Sequence, residues 1–405
     1  MATSIISAGD AANLGIQTTG GDDGVLVLRS GAAGAKVDAL SIAASGTATF
    51  VDDVAVTGDL TANNFAGRNL IINGAMQVAQ RGTSFAAISS NTYTLDRWQL
   101  QAAGAGRCTI TQSTTAPNNF VYSTKVDVTT ADTSLGATDL QSFTQRMEGN
   151  VVSQIGLGTS SAKSFTVSFW VRSNKTGIYC VSIRNASGGR SIASEYTISS
   201  ADTWEHKEVT FSGDTTGSYN TGNTEAFNVN FVLLAGTDRD GKTANTWEAN
   251  TAFATDNQVN LFDNTSNEWY ITGVQLEISS TTTEFEYRSF GDDLALCQRY
   301  YYRETAGTAY TGFAISVVEA ATYSSGMIRG LPVTMRAVPT VSQSNCRLFD
   351  GSVTPAVTSL ATNFGSTTSF GVACVASGGG LTVGRAVSLQ ANNNTAAYID
   401  ASAEL

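Results

Sequence analysis

His206 is the only histidine among 405 residues, so any Ser–His–Asp or Cys–His chemistry has to pass through it. It stands in Trp204-Glu205-His206-Lys207-Glu208-Val209-Thr210-Phe211, where two-residue alternation puts it on one face with Trp204, Glu208 and Thr210. Nothing places a nucleophile or an orienting acid beside it, so a structural mid-strand role is expected. Cys108, Cys180, Cys297, Cys346 and Cys374 are far apart and contain no CxxC pair. Zinc spacing is therefore absent, and each reads as a small buried hydrophobe. Glycoside hydrolysis needs two carboxylates at a set separation. Asp96, Glu148, Asp238, Asp240 and Asp263 are available, but no spacing singles out a pair. The string Asn185-Ala186-Ser187-Gly188-Gly189-Arg190 reads as a hairpin turn, because no Lys-Ser/Thr pair and helix follow it as a phosphate loop requires. No catalytic residue, metal site or cofactor is expected.

Binding chemistry is better represented. A sugar is recognised by flat aromatic faces against its C–H surfaces and by amides or carboxylates at its hydroxyls. Trp247 lies in the polar run Lys242–Asn250, Tyr219 in Thr215–Asn220, and Trp98 follows Asp96-Arg97. These three are candidate sugar-contacting residues, with core packing as the alternative for each tryptophan. Trp170 falls on the strand face opposite Phe165, Val167 and Phe169, which leaves it either inside a second layer or exposed. In the last hundred residues Tyr310, Tyr323 and Phe349 are further candidates, should that region form a distal tip. The run Tyr300-Tyr301-Tyr302 reads as a wedge between domains or between subunits, since tyrosine suits an interface with one wet edge.

The elements that must carry these residues are strands. Charged residues make up 14% of the chain, acids outnumber bases 34 to 23, and the net charge is −11. A typical charged fraction is about 25%. So acidic and Lys-poor a chain lacks the clustered cations that nucleic acid demands. Helical bundles would hold more Leu, Glu and Lys. No run of about 18 apolar residues is present, so no membrane insertion is expected. The first residues lack the basic and apolar regions of a secretion signal, so none is expected. At 42% hydrophobic and 9% aromatic, the chain can bury several cores. It reads as all-β with a hydroxyl- and amide-rich surface.

Four regions follow. Residues 1–66 hold short apolar stretches (Val25–Leu28, Leu40–Ile42, Val54–Val56) too small to bury a core alone, which predicts an oligomeric stalk. Residues 67–290 alternate strongly. Phe165, Val167, Phe169 and Val171 share a face, and Asn174-Lys175-Thr176-Gly177 reads as the turn of a hairpin to Tyr179–Ile183. Phe227–Leu234 and Glu268–Glu277 are further strands of a jelly-roll β-sandwich. Residues 291–303 predict one or two helical turns with an aspartate N-cap, serving as a linker or hinge. Residues 304–405 predict a small β-domain, with Pro332 and Pro339 marking an edge strand or bulge and Ala391–Thr395 a turn into a final strand.

Four segments, in this order, resemble bacteriophage tail-fibre and related virion proteins, especially of phages of aquatic bacteria. They are Asn69–Gly82, Tyr93–Trp98, Tyr270–Glu277 with Phe285–Phe290, and Leu296–Arg303. The stretch Val54–Ala62 resembles the lead-in shaft of such fibres. The resemblance implies a homotrimer in the virion tail. Its N-terminus would meet other tail proteins, and its C-terminus would meet a host cell-surface polysaccharide, each weak site gaining avidity from many copies. A purely structural virion part (head fibre, decoration protein or adaptor) is the alternative. A depolymerase is less expected, because those enzymes resemble long parallel β-helices and no repeat of that kind is present. The middle region also resembles carbohydrate-binding jelly rolls, which often hold a structural calcium. Here Thr272-Gly273 stands where their closing strand has an acid, so no metal is expected.

Overall fold

The computed structural model describes residues 67–405 other than 188, 250 and 251, with backbone only at 327 and 328, and before them the backbone of three short strands. Those strands, β1 (Leu26–Ser30), β2 (Val37–Ile42) and β3 (Ala48–Phe50), form an antiparallel sheet in the unit of residues 1–62. Leu26 pairs with Ile42 and Leu40 with Phe50. The Val54–Val56 stretch and the rest of the expected stalk lie outside the described residues.

Residues 63–405 form the second unit. Its strands begin with β4 (Ser84–Ile88), β5 (Thr92–Tyr93), β6 (Trp98–Ala103), β7 (Arg107–Ser113), β8 (Ser123–Thr130) and β9 (Leu140–Glu148). After a short helix, α1 (Gly149–Val152), come β10 (Phe165–Ser173), β11 (Gly177–Asn185), β12 (Ser191–Ile198), β13 (Glu205–Phe211), β14 (Glu225–Ala235) and β15 (Glu268–Glu277). They make two antiparallel sheets, a front one in the order β13-β10-β15-β8-β7-β4 and a back one in the order β12-β11-β14-β9-β6-β5. Inward residues of both sheets share one core, as a jelly-roll sandwich requires. Phe165, Val167, Phe169 and Val171 of β10 are all fully buried. Phe169 meets Phe231 of β14 edge-on at 4.9 Å, which joins the two sheets through ring contacts.

The expected hairpin after β10 does not form. β10 pairs with β13 and β15 in the front sheet, while β11 pairs with β12 and β14 in the back sheet. The turn at Asn174–Gly177 reverses the chain but carries it across the core, because the apolar faces of both strands must point inward from opposite sides. A turn signature fixes reversal and leaves sheet membership open. The β11–β12 turn is a true hairpin, with the Asn185 N–H donating to the Arg190 carbonyl at 3.0 Å.

A helix, α2 (Phe290–Gln298), follows the sandwich. Its N-cap is Ser289, whose hydroxyl accepts from the Asp292 N–H, and not an aspartate as expected; Asp292 and Asp293 lie in the first turn. Acids there still favour the helix through its dipole. Nine strands complete the chain. They are β16 (Tyr301–Thr305), β17 (Gly312–Ala320), β18 (Tyr323–Gly330), β19 (Thr340–Ser344), β20 (Cys346–Phe349), β21 (Val357–Asn363), β22 (Ser369–Ala376), β23 (Ala386–Ala391) and β24 (Tyr398–Ser402). A three-stranded sheet, β16-β24-β19, and a six-stranded sheet, β20-β23-β17-β18-β22-β21, share a second core around Phe313, Leu348, Phe370 and Leu389. The Pro332–Pro339 segment is a loop and not an edge strand. Two residues without N–H donors cannot sustain a ladder, and the buried Met335 anchors the loop instead.

Between the two cores the tyrosine run is fully engaged. The Tyr300 hydroxyl donates to Glu148 at 2.6 Å, and Arg299 donates to the same carboxylate at 2.5 and 3.0 Å. The Tyr301 hydroxyl donates to Asp400 at 2.7 Å. Arg97 and Arg81 lie 3.5 Å over the rings of Tyr300 and Tyr301 and both pair with Glu404. Tyr302 is half-buried, with a longer 3.4 Å contact to Glu304.

Candidate functional site

Outward residues of the front sheet form the floor of a groove of about 880 Å³. Register puts Trp170 opposite His206 on one side and Thr272 on the other, and Ser168 opposite Glu208 and Gln275. The β10–β15 register shifts between Ser168 and Trp170, and Gly273 sits there with φ +61°. A Cβ on Gly273 would come within 2.6 Å of the Phe120 ring and 3.1 Å of the Trp170 ring. Glycine is therefore required both for the backbone and for the approach of two aromatic rings.

Two loops make the walls. One carries Asn118, Asn119 and Phe120 between β7 and β8; the other carries Thr282–Tyr287 after β15. Gln275 and Glu277 of β15 hold the second wall. Gln275 Oε1 accepts from the Glu286 N–H at 2.8 Å, and Glu277 accepts from the Thr283 N–H and hydroxyl, both at 2.8 Å. The Glu286 carboxylate is itself used, accepting from the N–H groups of Gly67 and Asn69 at 2.7 Å. Phe120, Phe285 and Tyr287 then close into a triad with centroid distances of 5.1, 5.4 and 4.9 Å. Tyr287 remains 57% exposed, so the triad presents ring surface to solvent.

The floor is polar as well as aromatic. His206 lies 5.2 Å from the Trp170 ring, and its Nδ1 is 3.5 Å from Glu208. Burial lowers the His206 pKa below its usual value, and Glu208 offsets this only in part. The imidazole is thus neutral near pH 7, free to donate or accept. Burial, and then the nearby Glu284, raises the Tyr287 pKa, so its phenol stays a hydrogen-bond donor. The Asn118 and Asn119 amides and the Glu284 carboxylate make no side-chain hydrogen bond among the described residues. Exposed rings beside two uncommitted amides and a carboxylate can stack on an apolar face and bind several hydroxyls.

The structure distributes the sequence candidates elsewhere. Trp98 is fully buried, stacked on Phe143 at 4.8 Å with its indole N–H donating to the Asn73 carbonyl, so it is a core residue and not a surface contact. Trp247 is half-buried against the core edge, where its N–H donates to the Ser212 carbonyl at 2.7 Å. Tyr219 packs edge-on against Trp247, and its hydroxyl donates to Asp214, which also binds Arg190. Both polar ends are committed to internal partners. Tyr310 and Phe349 are exposed and Tyr323 is half-buried, all away from the groove. Of the acids weighed as a carboxylate pair, Asp96 accepts from Gln80, Glu148 pairs with Arg299, and Asp263 pairs with Lys175. All five cysteines are buried. Among the described residues, no group of three or more His, Cys, Asp and Glu is placed to hold a metal ion.

Sequence reasoning gave His206 a structural role and left Trp170 undecided; the groove unites them. It missed Phe120, Phe285, Tyr287 and Gly273 as site residues. The signals were present in Phe285-Glu286-Tyr287, two rings two residues apart after a closing strand, and in a lone glycine inside that strand.

No protein-family model matches this chain, and no curated protein does. Solved structures similar to part of it include the enzymatically active domain of tailspike protein 4 of bacteriophage CBA120, at 12% identity and TM-score 0.27, covering 52% of this chain and 22% of that one. A carbohydrate-binding module of type CBM4 is similar at 13% identity and TM-score 0.29, covering 51% of this chain and 98% of the module. The family 11 carbohydrate-binding module of Clostridium thermocellum, solved with a β-1,3-1,4-mixed-linked tetrasaccharide, is similar at 11% identity and TM-score 0.26, covering 51% and 99%. This chain spans about a fifth of the tailspike chain it matches.

Proposed function

We propose that the front-sheet groove binds a saccharide without transforming it, and that the protein uses it to attach a phage tail fibre to a host cell-surface glycan. One observation carries the reading. Trp170, Phe120, Phe285 and Tyr287 line a solvent-open groove in which the Asn118, Asn119 and Glu284 side chains make no hydrogen bond among the described residues. A structural groove would be filled and its polar groups paired. The tail setting, the homotrimer and the contact with other tail proteins rest on the fibre-like sequence segments alone.

The test is a glycan array probed with the full chain, followed by titration calorimetry on the best ligand. Wild type is expected to bind a defined set of oligosaccharides, and Trp170→Ala is expected to lose at least about tenfold in affinity, the scale of a buried aromatic anchor. No binding across the array, with the fold intact by circular dichroism, would overturn the reading and leave a purely structural virion part in its place.

A further inference from the structure

The C-terminal six-stranded sheet has one face in the core and one face open. On the open face, β20 alternation places Arg347 and Phe349 together, with Gln390 and Ser388 of β23 as their cross-strand partners. Tyr310, just before β17, covers the guanidinium, its ring centroid 4.5 Å from Arg347 Cζ; the Phe349 ring lies on the same group at 5.8 Å. Tyr310 is 51% exposed and Phe349 39%.

The arginine is held but not neutralised. With the Gln390 amide oxygen turned toward it, that oxygen accepts from Nε and Nη2, each at 3.1 Å. This takes one edge of the planar fork. The other edge, Nη1 with the second Nη2 hydrogen, has no partner among the described residues, and no carboxylate there pairs with Arg347. In a chain of net charge −11, Arg172 and Arg190 pair with acids, whereas Arg347 has none among the described residues. A free guanidinium edge matches a carboxylate bidentately. The Tyr310 and Phe349 rings offer apolar faces beside it.

We propose that this patch is a second binding site, separate from the groove, that takes a carboxylate-bearing saccharide. The carboxylate meets the open edge of Arg347, and the sugar ring lies against Tyr310 or Phe349. The groove differs in charge: Glu208, Glu284 and Glu286 line it beside one arginine, Arg68, so it does not favour an acidic ligand.

The experiment measures binding of the full chain to oligouronides and sialylated oligosaccharides beside their uncharged counterparts, at low salt. Wild type is expected to bind the acidic set. Arg347→Gln is expected to lose about tenfold or more of that binding, the scale of one charge-assisted contact, while Trp170→Ala retains it. Arg347→Lys is expected to restore only part, because an ammonium lacks the fork. Unchanged melting of each variant shows that the fold is intact. Acidic ligands that fail to bind wild type, or that bind Arg347→Gln equally well, overturn the proposal. Loss on Trp170→Ala instead would place acidic ligands in the groove and overturn it too. Failure of the groove reading is distinct, since it shows with neutral ligands.

Discussion

At the junction of the two cores, tyrosine, arginine and glutamate side chains satisfy one another. In the groove, aromatic rings, a histidine and glutamates face solvent. At the junction, Glu148 takes hydrogen bonds from Arg299 and Tyr300, and Glu404 pairs with the buried Arg97 and with Arg81. In the groove, Glu284 and two asparagine amides have no such partner. Residue type alone does not make a binding site. What separates the regions is whether each polar group already has a protein partner, and register and loop length decide that. The junction closes because the last strands bring Asp400 and Glu404 back to Arg303, Arg97 and Arg81. The groove keeps its aromatic lining because Gly273 lets the Phe120 and Trp170 rings approach the sheet, with two loops beside them.

Breaking the junction is expected to give the largest effect. Glu404→Ala leaves Arg97 as an unpaired buried charge, a loss of about 3–5 kcal/mol that thermal or denaturant unfolding measures. Ligand affinity at temperatures where the variant is folded should not change. Next comes Trp170→Ala, expected to lower saccharide affinity by about tenfold or more by calorimetry while the fold persists, the reverse of the first pattern. Gly273→Ala should do some of both. A side chain at φ +61°, pressed on Phe120 and Trp170, is expected to cost about 1–3 kcal/mol and to weaken binding by displacing the rings.

The smallest effects concern pH. At Glu148 burial opposes ionisation, but the hydrogen bonds from Arg299 and Tyr300 outweigh it and hold the carboxyl below the ordinary range. Its stabilisation is therefore complete above the unfolded value of 4.5 and is lost as pH falls below it. Glu148→Gln should weaken that acid dependence in unfolding curves. His206 is also lowered, so the unfolded chain takes up this proton first, and stability declines slightly as pH falls below 6.5. His206→Asn should remove that slope. If it instead changes affinity near pH 7, the imidazole contacts the ligand directly.

Much of the fold was legible because alternation is a local signal. Phe165–Arg172 and Glu268–Glu277 read directly as strands, and the jelly-roll expectation matches the two facing sheets. Sheet membership was not legible: the Asn174–Gly177 turn looks the same whether its strands pair or cross the core. The site was less legible than the fold. Trp98 looked available beside Asp96-Arg97, yet all three are buried, since Asp96 and Arg97 have partners more than ten residues away in sequence. Trp170 and His206 are 36 positions apart and meet only through strand pairing. Phe120 and Phe285 come from two different loops and meet edge-on, and no spacing in the chain relates them.

The central claim is that the groove, and not the loops carrying Tyr219 and Trp247, holds the sugar. Parallel titration of wild type, Trp170→Ala and Trp247→Ala with one neutral oligosaccharide from the array tests it most directly. The expected result is equal affinity of wild type and Trp247→Ala and loss in Trp170→Ala. Equal affinity of wild type and Trp170→Ala, with loss in Trp247→Ala, would contradict it.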